Sequence, residues 1–515
     1  MHVIKSGILV LFCSTLAAFS AAEVVTGQAM AEAIAAVRLL PDGNVKKTII
    51  FYPANQEFLI PQKHQYHQTL TMKLFMAEAK FDGKYKHQDN GKSEVFMNYE
   101  QALAVIRQMD NLTLGIPKIV YIVGWQYNGH DSKYPAWFEG NPQLQRPQDA
   151  TSLDSLKWLM KEAEAYHTTV SLHINMFDAY EDSPLWDEYV NKDIIAKNAD
   201  GSLRPCEWGY PISYAQEWAT GCTQKRIDAL CELLPIQHAG TIHIDAFHTW
   251  PPVPGIDENG KPYAEKAKGV ISPHLKFTVA DETEAQRNIF RYWAQKGIDL
   301  TSESVDFLRA TAFEGYQPMA WWFNRGGQSY YLKWPAAFYC GGRDDSEWGM
   351  LFGSSMHGED IVRKDRESLR GFKEQFCLKT AVWYYLNRLQ RMHLLVGNEY
   401  KSVQFSDNVR TEVARGPGRL WRDALFRISR GEVTLVENTD VLIPALWIGN
   451  NHLLAYSKNG YVNKSWTLPE DWKKTQNVQL SRITTAGKST PETIKPVAGK
   501  LVLTLVRDEM VLIEK

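Results

Sequence analysis

Neither sign of charge prevails in this chain: 57 basic residues stand against 59 acidic ones, for a formal net charge of −2. That balance offers nothing to a nucleic-acid backbone or to an anionic membrane surface. No CxxC pair occurs, so the short ligand spacing of a structural zinc site is missing. The Gly326-Gly327 pair is a turn signal outside any phosphate-loop context. There is no internal repeat at solenoid periods and no low-complexity tract. Beyond the first 22 residues no apolar run is long enough to span a bilayer. Nothing in the sequence fixes an oligomeric state.

What is present begins with a processing segment. Met1 to Ala22 has a basic start at His2 and Lys5, an apolar stretch from Ile8 to Phe19, and small residues at Ser20, Ala21 and Ala22. This reads as a cleavable secretory signal, so the mature protein is expected to be exported, to the periplasm or the cell exterior. Removing Cys13 leaves Cys206, Cys222, Cys231, Cys340 and Cys377, an odd set. At most two disulfides fit, and the spacing of Cys206 and Cys222 makes them the pair expected to bridge. Tryptophan is abundant, at 17 residues, and indole rings serve both as core volume and as flat apolar platforms for sugars.

The chain divides by texture. Residues 23–99 mix a small-residue helical stretch (28–39) with extended runs at 47–52 and 67–75, and are expected to form an N-terminal β-rich module. Helix and strand then alternate from residue 100 to 400: Pro117 to Gly124 reads as a first buried parallel strand, followed by a helix at 153–166, a strand at 169–174, a helix at 223–234 and a strand at 241–244. A helix at 282–296 and a strand at 297–303 continue the series. That alternation predicts an α/β fold, a (β/α)8 TIM-type barrel. Short alternating strands separated by Gly, Asn and Asp turns predict a C-terminal β-sandwich over 401–515.

The organising stretch is 240–250. Thr241, Ile242 and Ile244 are β-branched, as a central strand prefers, and the run then breaks into Asp245, His248 and Trp250. In a barrel that is a strand delivering side chains to the C-terminal mouth. Two carboxylates at strand ends are the minimum for glycoside hydrolysis. Asp245 is the expected nucleophile and Glu303, at the end of the following strand, the expected acid/base, with Glu282, Glu284 and Glu314 as the other carboxylates that fit the second role. After the first strand, His130 and Asp131 are placed to hydrogen-bond vicinal hydroxyls while Trp125 or Tyr134 packs on a sugar face. His173, Asn175 and Asp178 fit the same binding role after the second, and His248 and Trp250 after the organising strand. His173, His243, Asp245 and His248 raise a metal centre, yet they lack the short spacing of a zinc motif, so no catalytic metal is assigned and no cofactor is required. A structural Ca2+ fits Asp344, Asp345, Glu359 and Asp360.

These residues carry a resemblance. The segment 123–137, the phrase Thr168 to Asn175 with its continuation from Asp178 to Tyr189, and the strand His243-Ile244-Asp245 resemble the catalytic barrel of the endo-α-N-acetylgalactosaminidases, family 101 of the glycoside hydrolases. The related α-N-acetylgalactosaminidases of family 129 are a second resemblance. What this implies is a retaining enzyme acting on α-linked N-acetylgalactosamine of mucin-type O-glycans, with Asp245 as nucleophile, Glu303 as acid/base and substrate contacts from His130 and Asp131. Family members of the first kind are much larger, and the insertion Pro251 to Val279 lengthens the spacing between the two carboxylates. The partner expected is a glycan or glycoprotein. A barrel that captures glycans without turning them over is the reading from another class.

Overall fold

The computed structural model describes residues 36–39, 45–50, 62–83, 86–197, 200–205, 208–245, 247, 275, 277–302, 347–397, 399–416, 420 and 424–515. The expected signal segment lies outside them. Its centre is a six-stranded parallel sheet built from β1 (Leu70–Phe75), β2 (Lys118–Val123), β3 (Thr168–Asn175), β4 (Thr241–Asp245), β5 (Asp299–Ser302) and β6 (Met356–His357). The strands lie in the order β6-β1-β2-β3-β4-β5, parallel throughout. Parallel neighbours need crossovers, which helices supply. Here α1 (Tyr99–Thr113) joins β1 to β2, α2 (Ser152–Glu162) joins β2 to β3, and α3 (Tyr214–Ala219) with α4 (Cys222–Leu233) precede β4, while α5 (Val279–Gln295) precedes β5.

Local sequence explains where the helices sit. Asn98 caps α1 reciprocally with Gln101, and Thr278 does the same for α5 with Asp281, which satisfies the orphan amides of each first turn. On α1 the buried positions Ala102, Val105, Ile106, Met109 and Leu112 recur at helical spacing. They pack against the even-numbered strand residues Leu70, Met72, Leu74, Val120, Ile122, Val170, Leu172, Ile174, Ile242, Ile244 and Leu300 in one continuous core.

The odd-numbered strand positions point the other way and, apart from Phe75, Ile119 and Val123, are largely polar. Thr71, Lys73, Ser171, His173, Thr241, His243, Asp299 and Thr301 are all buried, so side-chain alternation gives the sheet one aliphatic and one hydrogen-bonding face. Thr241 Oγ1 lies 2.8 Å from the Tyr66 hydroxyl and 2.7 Å from that of Tyr121. Thr301 donates to the Tyr121 hydroxyl at 3.2 Å and lies 3.2 Å from Nδ1 of His243. At the far end the Asp299 carboxylate accepts the backbone amides of Lys63 and His64 and the Tyr66 hydroxyl. This polar column runs from the base of the sheet to the strand ends where Asp245 stands.

Glu282 stays within the helical layer. Its carboxylate accepts Ser213 Oγ at 2.5 Å and the Ala215 amide at 3.0 Å, capping the start of α3. Burial raises this carboxyl from its ordinary 4.5 to about 7, against the opposing pull of those hydrogen bonds. A raised carboxyl binds more protons folded than unfolded across that interval, so its contribution to stability falls as pH rises from about 4.5 to 7. In urea unfolding, Glu282→Gln is therefore expected to gain on the wild type between pH 5 and pH 8 by on the order of 2–3 kcal/mol. A wild-type-minus-variant difference that does not change with pH would contradict this.

The second layer is β-rich, as expected for the C-terminal part. A 13-stranded antiparallel sheet takes in Arg391–Val396, Tyr400–Phe405, Val409–Ala414 and the strands that follow, up to Glu509–Glu514. A two-stranded sheet, Tyr461–Thr467 with Lys500–Leu505, has a second small core around Trp466, Trp472, Leu501 and Leu503. The sheet docks on the helices through the main core, which includes Trp383, Leu394, Val403 and Leu512, and Trp447 donates its indole N–H to the Thr113 carbonyl at 2.9 Å.

Three expectations are corrected. The run 67–75, assigned to an N-terminal module, holds β1 of the parallel sheet, hydrogen-bonded to β2 along its full length. Ala36–Leu39, read as the end of a helix, is a strand; it pairs with Val45–Ile50, which in turn pairs with Arg391–Val396. The antiparallel sheet therefore draws on both sides of the parallel one and begins before residue 401. Finally, Cys222 carries a free thiol, buried at the start of α4 with the Lys192 ammonium 3.3 Å away. Its expected partner Cys206 lies outside the described residues.

Candidate active site

The C-terminal ends of β3 and β4 bring Asn175 and Asp245 side by side, since the two residues are register partners. One pleat back, His173 faces His243 in the same register and stacks on it with ring centroids 5.2 Å apart. Nε2 of His173 lies 3.7 Å from Oδ1 of Asp245. His173 is buried while Asp245 is partly open. Burial, with Lys73 and His130 adding to it, pushes the His173 imidazole well below its ordinary value, so the ring is neutral.

The loop after β2 folds over this pair because two glycines allow it to lie against β1's continuation. Gly124 has φ +76° and Gly129 φ +119°. A Cβ on Gly124 would stand 1.9 Å from the Ala77 carbonyl oxygen, and one on Gly129 would stand 2.8 Å from the carbonyl carbons of Ala77 and Glu78. No side chain fits there. The His130 amide then donates to the Ala77 carbonyl at 2.9 Å and its carbonyl accepts the Ala79 amide at 3.1 Å. This clamps the imidazole 5.2 Å, centroid to centroid, from that of His173. Asp89 ties the loop from outside, accepting Ser132 Oγ at 2.6 Å and Asn128 Nδ2 at 2.9 Å.

A buried ion pair fixes the other end of the loop. The Arg226 guanidinium of α4 donates to Glu217 of α3 at 3.0 Å and to the Pro135 carbonyl at 3.3 Å, and its Cζ lies 4.3 Å from the centre of the Trp137 ring. Glu217 also accepts the Tyr189 hydroxyl. All of these side chains are buried.

Three aspartates converge on the mouth in different electrostatic settings. Asp131 Oδ2 accepts Lys86 Nζ at 3.1 Å and its Oδ1 lies 3.4 Å from Nε2 of His130. Burial alone would raise this carboxyl, but His130 and Lys86 outweigh burial and hold it below its ordinary value. Asp178 goes the other way. Burial pushes it well up, Asp131 and Asp245 add to the rise, and the bond from Asn175 Nδ2 at 2.7 Å opposes it without prevailing. Asp178 thus holds its proton more firmly than an ordinary carboxyl, and Asp131 beside it less firmly. Asn175 Oδ1 meanwhile accepts the amides of Phe177 and Asp178, which sets the turn after β3. The Tyr134 hydroxyl is buried near the same carboxyls, and burial together with Asp131, Asp245 and Asp178 lifts it well above its usual range.

Of the expected site residues, His130, Asp131, Tyr134, His173, Asn175, Asp178 and Asp245 are brought together. Trp125 is not a sugar platform: it is fully buried and donates its indole N–H to the His173 carbonyl at 3.2 Å, locking the loop to β3. Glu303, His248 and Trp250 lie outside the described residues, as do Asp344 and Asp345. The remaining expected Ca2+ ligands already have partners, Glu359 at 3.7 Å from Lys73 and Asp360 with Arg363 and Lys364. Lys86 is the site residue sequence reading missed. It sits in a polar loop after β1, and that loop reads as part of the mouth only once β1 is known to belong to the parallel sheet. Carboxyls, an asparagine and a lysine around a partly open carboxyl form a setting for a polyhydroxylated ligand.

Residues 83–297 match the family model described as endo-alpha-N-acetylgalactosaminidase, glycoside hydrolase family 101. Every described site residue lies within that span. No curated protein matches the chain. Among solved structures, the alpha-N-acetylgalactosaminidase NagBb from Bifidobacterium bifidum aligns at 12% identity and a TM-score of 0.49, covering 71% of this chain and 58% of that one. The alpha-amylase of Geobacillus thermoleovorans aligns at 10% identity and 0.41, over 88% and 100% of the two chains. The GH36 alpha-galactosidase AgaA of Geobacillus stearothermophilus aligns at 10% identity and 0.40, over 90% and 56%. The chain therefore spans little more than half the length of NagBb.

Proposed function

We propose that this protein is an exported, retaining α-glycoside hydrolase that cleaves α-linked N-acetylgalactosamine from mucin-type O-glycans. The observation that carries the reading is Asp245: a partly open carboxyl at the end of a parallel strand, with His130, His173 and Asn175 beside it, all inside the span that matches the family model. In the proposed mechanism Asp245 attacks the anomeric carbon as the glycosidic bond to the aglycone oxygen breaks. Glu303 gives that oxygen its proton, leaving a glycosyl ester on Asp245. Water, losing a proton to Glu303, then opens the ester and releases the sugar with its α configuration. Sequence position supports Glu303: Ile244 pairs with Ser302, and Asp245 and Glu303 are the residues that follow them in the sequence. Asp131 and Asp178, with carboxyls shifted in opposite directions, would hydrogen-bond sugar hydroxyls. The proposal extends to the fold, a closed (β/α)8 barrel of which the six-stranded parallel sheet is the described part.

Proton NMR of turnover tests this. With aryl α-glycosides of N-acetylgalactosamine and of galactosyl-β-1,3-N-acetylgalactosamine, the first-formed product is expected to be the α anomer. An intact disaccharide identifies endo action and a monosaccharide alone identifies exo action. A β anomer formed first, or glycan binding with no turnover on any α-glycoside, would sink the reading.

A further inference from the structure

His130, His173 and Asp245 each bring one donor atom to within 4.8 Å of the others. His173 is buried, and neither of its ring nitrogens has a hydrogen-bond partner among the described residues. Its 3.7 Å approach to Asp245 is too long for a hydrogen bond. Nδ1 of His130 is likewise unpartnered among the described residues. Leaving such lone pairs unspent in a buried place costs free energy that a ligand would recover. Two imidazoles and a carboxylate aimed at one point suit a borderline cation such as Zn2+, whereas Ca2+ and Mg2+ favour all-oxygen shells. Bonds of about 2.0–2.2 Å to a tetrahedral ion require the donors to close by roughly 1 Å. His130 is the donor able to move, since it sits on a loop and is partly exposed. Asp131 and Asp178 add acidic groups nearby, partly offset by Lys86 and Lys73.

We propose that these three side chains form a reversible Zn2+ site that competes with the sugar. The ion would occupy Asp245 Oδ1 and one nitrogen from each histidine, with solvent in the fourth position. No covalent step is involved. The competition rests on the hydrolase reading above; the binding does not.

The test is calorimetric titration of the full chain with Zn2+ alone, repeated with Co2+, whose visible d–d bands report four- or five-coordination. One equivalent is expected to bind to the wild type, weakened at least about tenfold in His130→Ala and again in Asp245→Asn. The double variant serves as the background from surface histidines. Bound Zn2+ is expected to raise KM for the glycoside without lowering kcat. Failure to find one specific equivalent, or an affinity unchanged in both variants, overturns the site. Saturating Zn2+ that leaves KM for the glycoside unchanged overturns the competition. A chain that hydrolyses nothing defeats the hydrolase reading instead, while the titration still decides the metal.

Discussion

Asp245→Ala is expected to lower kcat on an aryl α-N-acetylgalactosaminide by about 10⁴-fold or more, with the fold intact. The side chain ends a strand whose other positions carry the packing: Ile242 and Ile244 are in the core, whereas Asp245 is partly open and its carboxylate has, among the described residues, one ionic neighbour, His173 at 3.7 Å. Its loss therefore removes chemistry with little cost in stability. If the carboxyl is the nucleophile, the alanine variant has room beside the anomeric carbon for a small anion. Azide is then expected to restore turnover and yield the β-glycosyl azide, formed by one inversion in place of the enzyme's first step. A variant with wild-type kcat, or one whose azide product is α, would remove Asp245 from that role.

The largest expected effect on stability belongs to Arg226. Replacing it by methionine leaves Glu217 buried without its cation, and breaking a buried pair from one side costs roughly 3–5 kcal/mol. It also removes the donor to the Pro135 carbonyl and the stacking on Trp137, so the 124–137 loop loosens and kcat/KM falls with stability. Removing both charges, as Glu217→Leu with Arg226→Met, is expected to regain most of the loss, because the desolvation penalty goes with them. Urea unfolding followed by tryptophan fluorescence reads both. A cost for Arg226→Met below about 1 kcal/mol, or a double variant no better than the single, would mean the pair is not buried in the way described.

Much of this arrangement is legible in the residues, and what is not has physical causes. The strands at 118–123, 168–175, 241–245 and 299–302 announce themselves because their helix-facing positions are aliphatic and their ends break into polar residues. The convergence of His130, His173, Asn175, Asp178 and Asp245 follows once parallel order is assumed. The run 67–75 reads as extended, but its place in the parallel sheet does not, because Lys73 interrupts its apolar stretch and only the structure shows an interior able to bury a lysine. The direction of Trp125 is equally hidden, since an aromatic beside a strand end turns outward or inward depending on an acceptor, here the His173 carbonyl, that lies 48 positions away. The metal grouping shows the same limit. Position near the strand ends groups His243 and His248 with His173 and Asp245, yet Nδ1 of His243 lies against Thr301 and the loop glycines bring His130 in instead.

The pairing of Val45–Ile50 with Arg391–Val396 bears on how the molecule is made. Roughly 340 positions separate these neighbours, so at a synthesis rate of about 5–20 residues per second the earlier strand emerges some 20 to 70 seconds before its partner exists. Throughout that interval its hydrogen-bonding edge is open, and unpaired edges recruit other chains. Biogenesis would then depend on something that shields an early strand while the parallel sheet assembles, and slow or crowded synthesis would show first as aggregation of partly made chains rather than as loss of activity in finished ones.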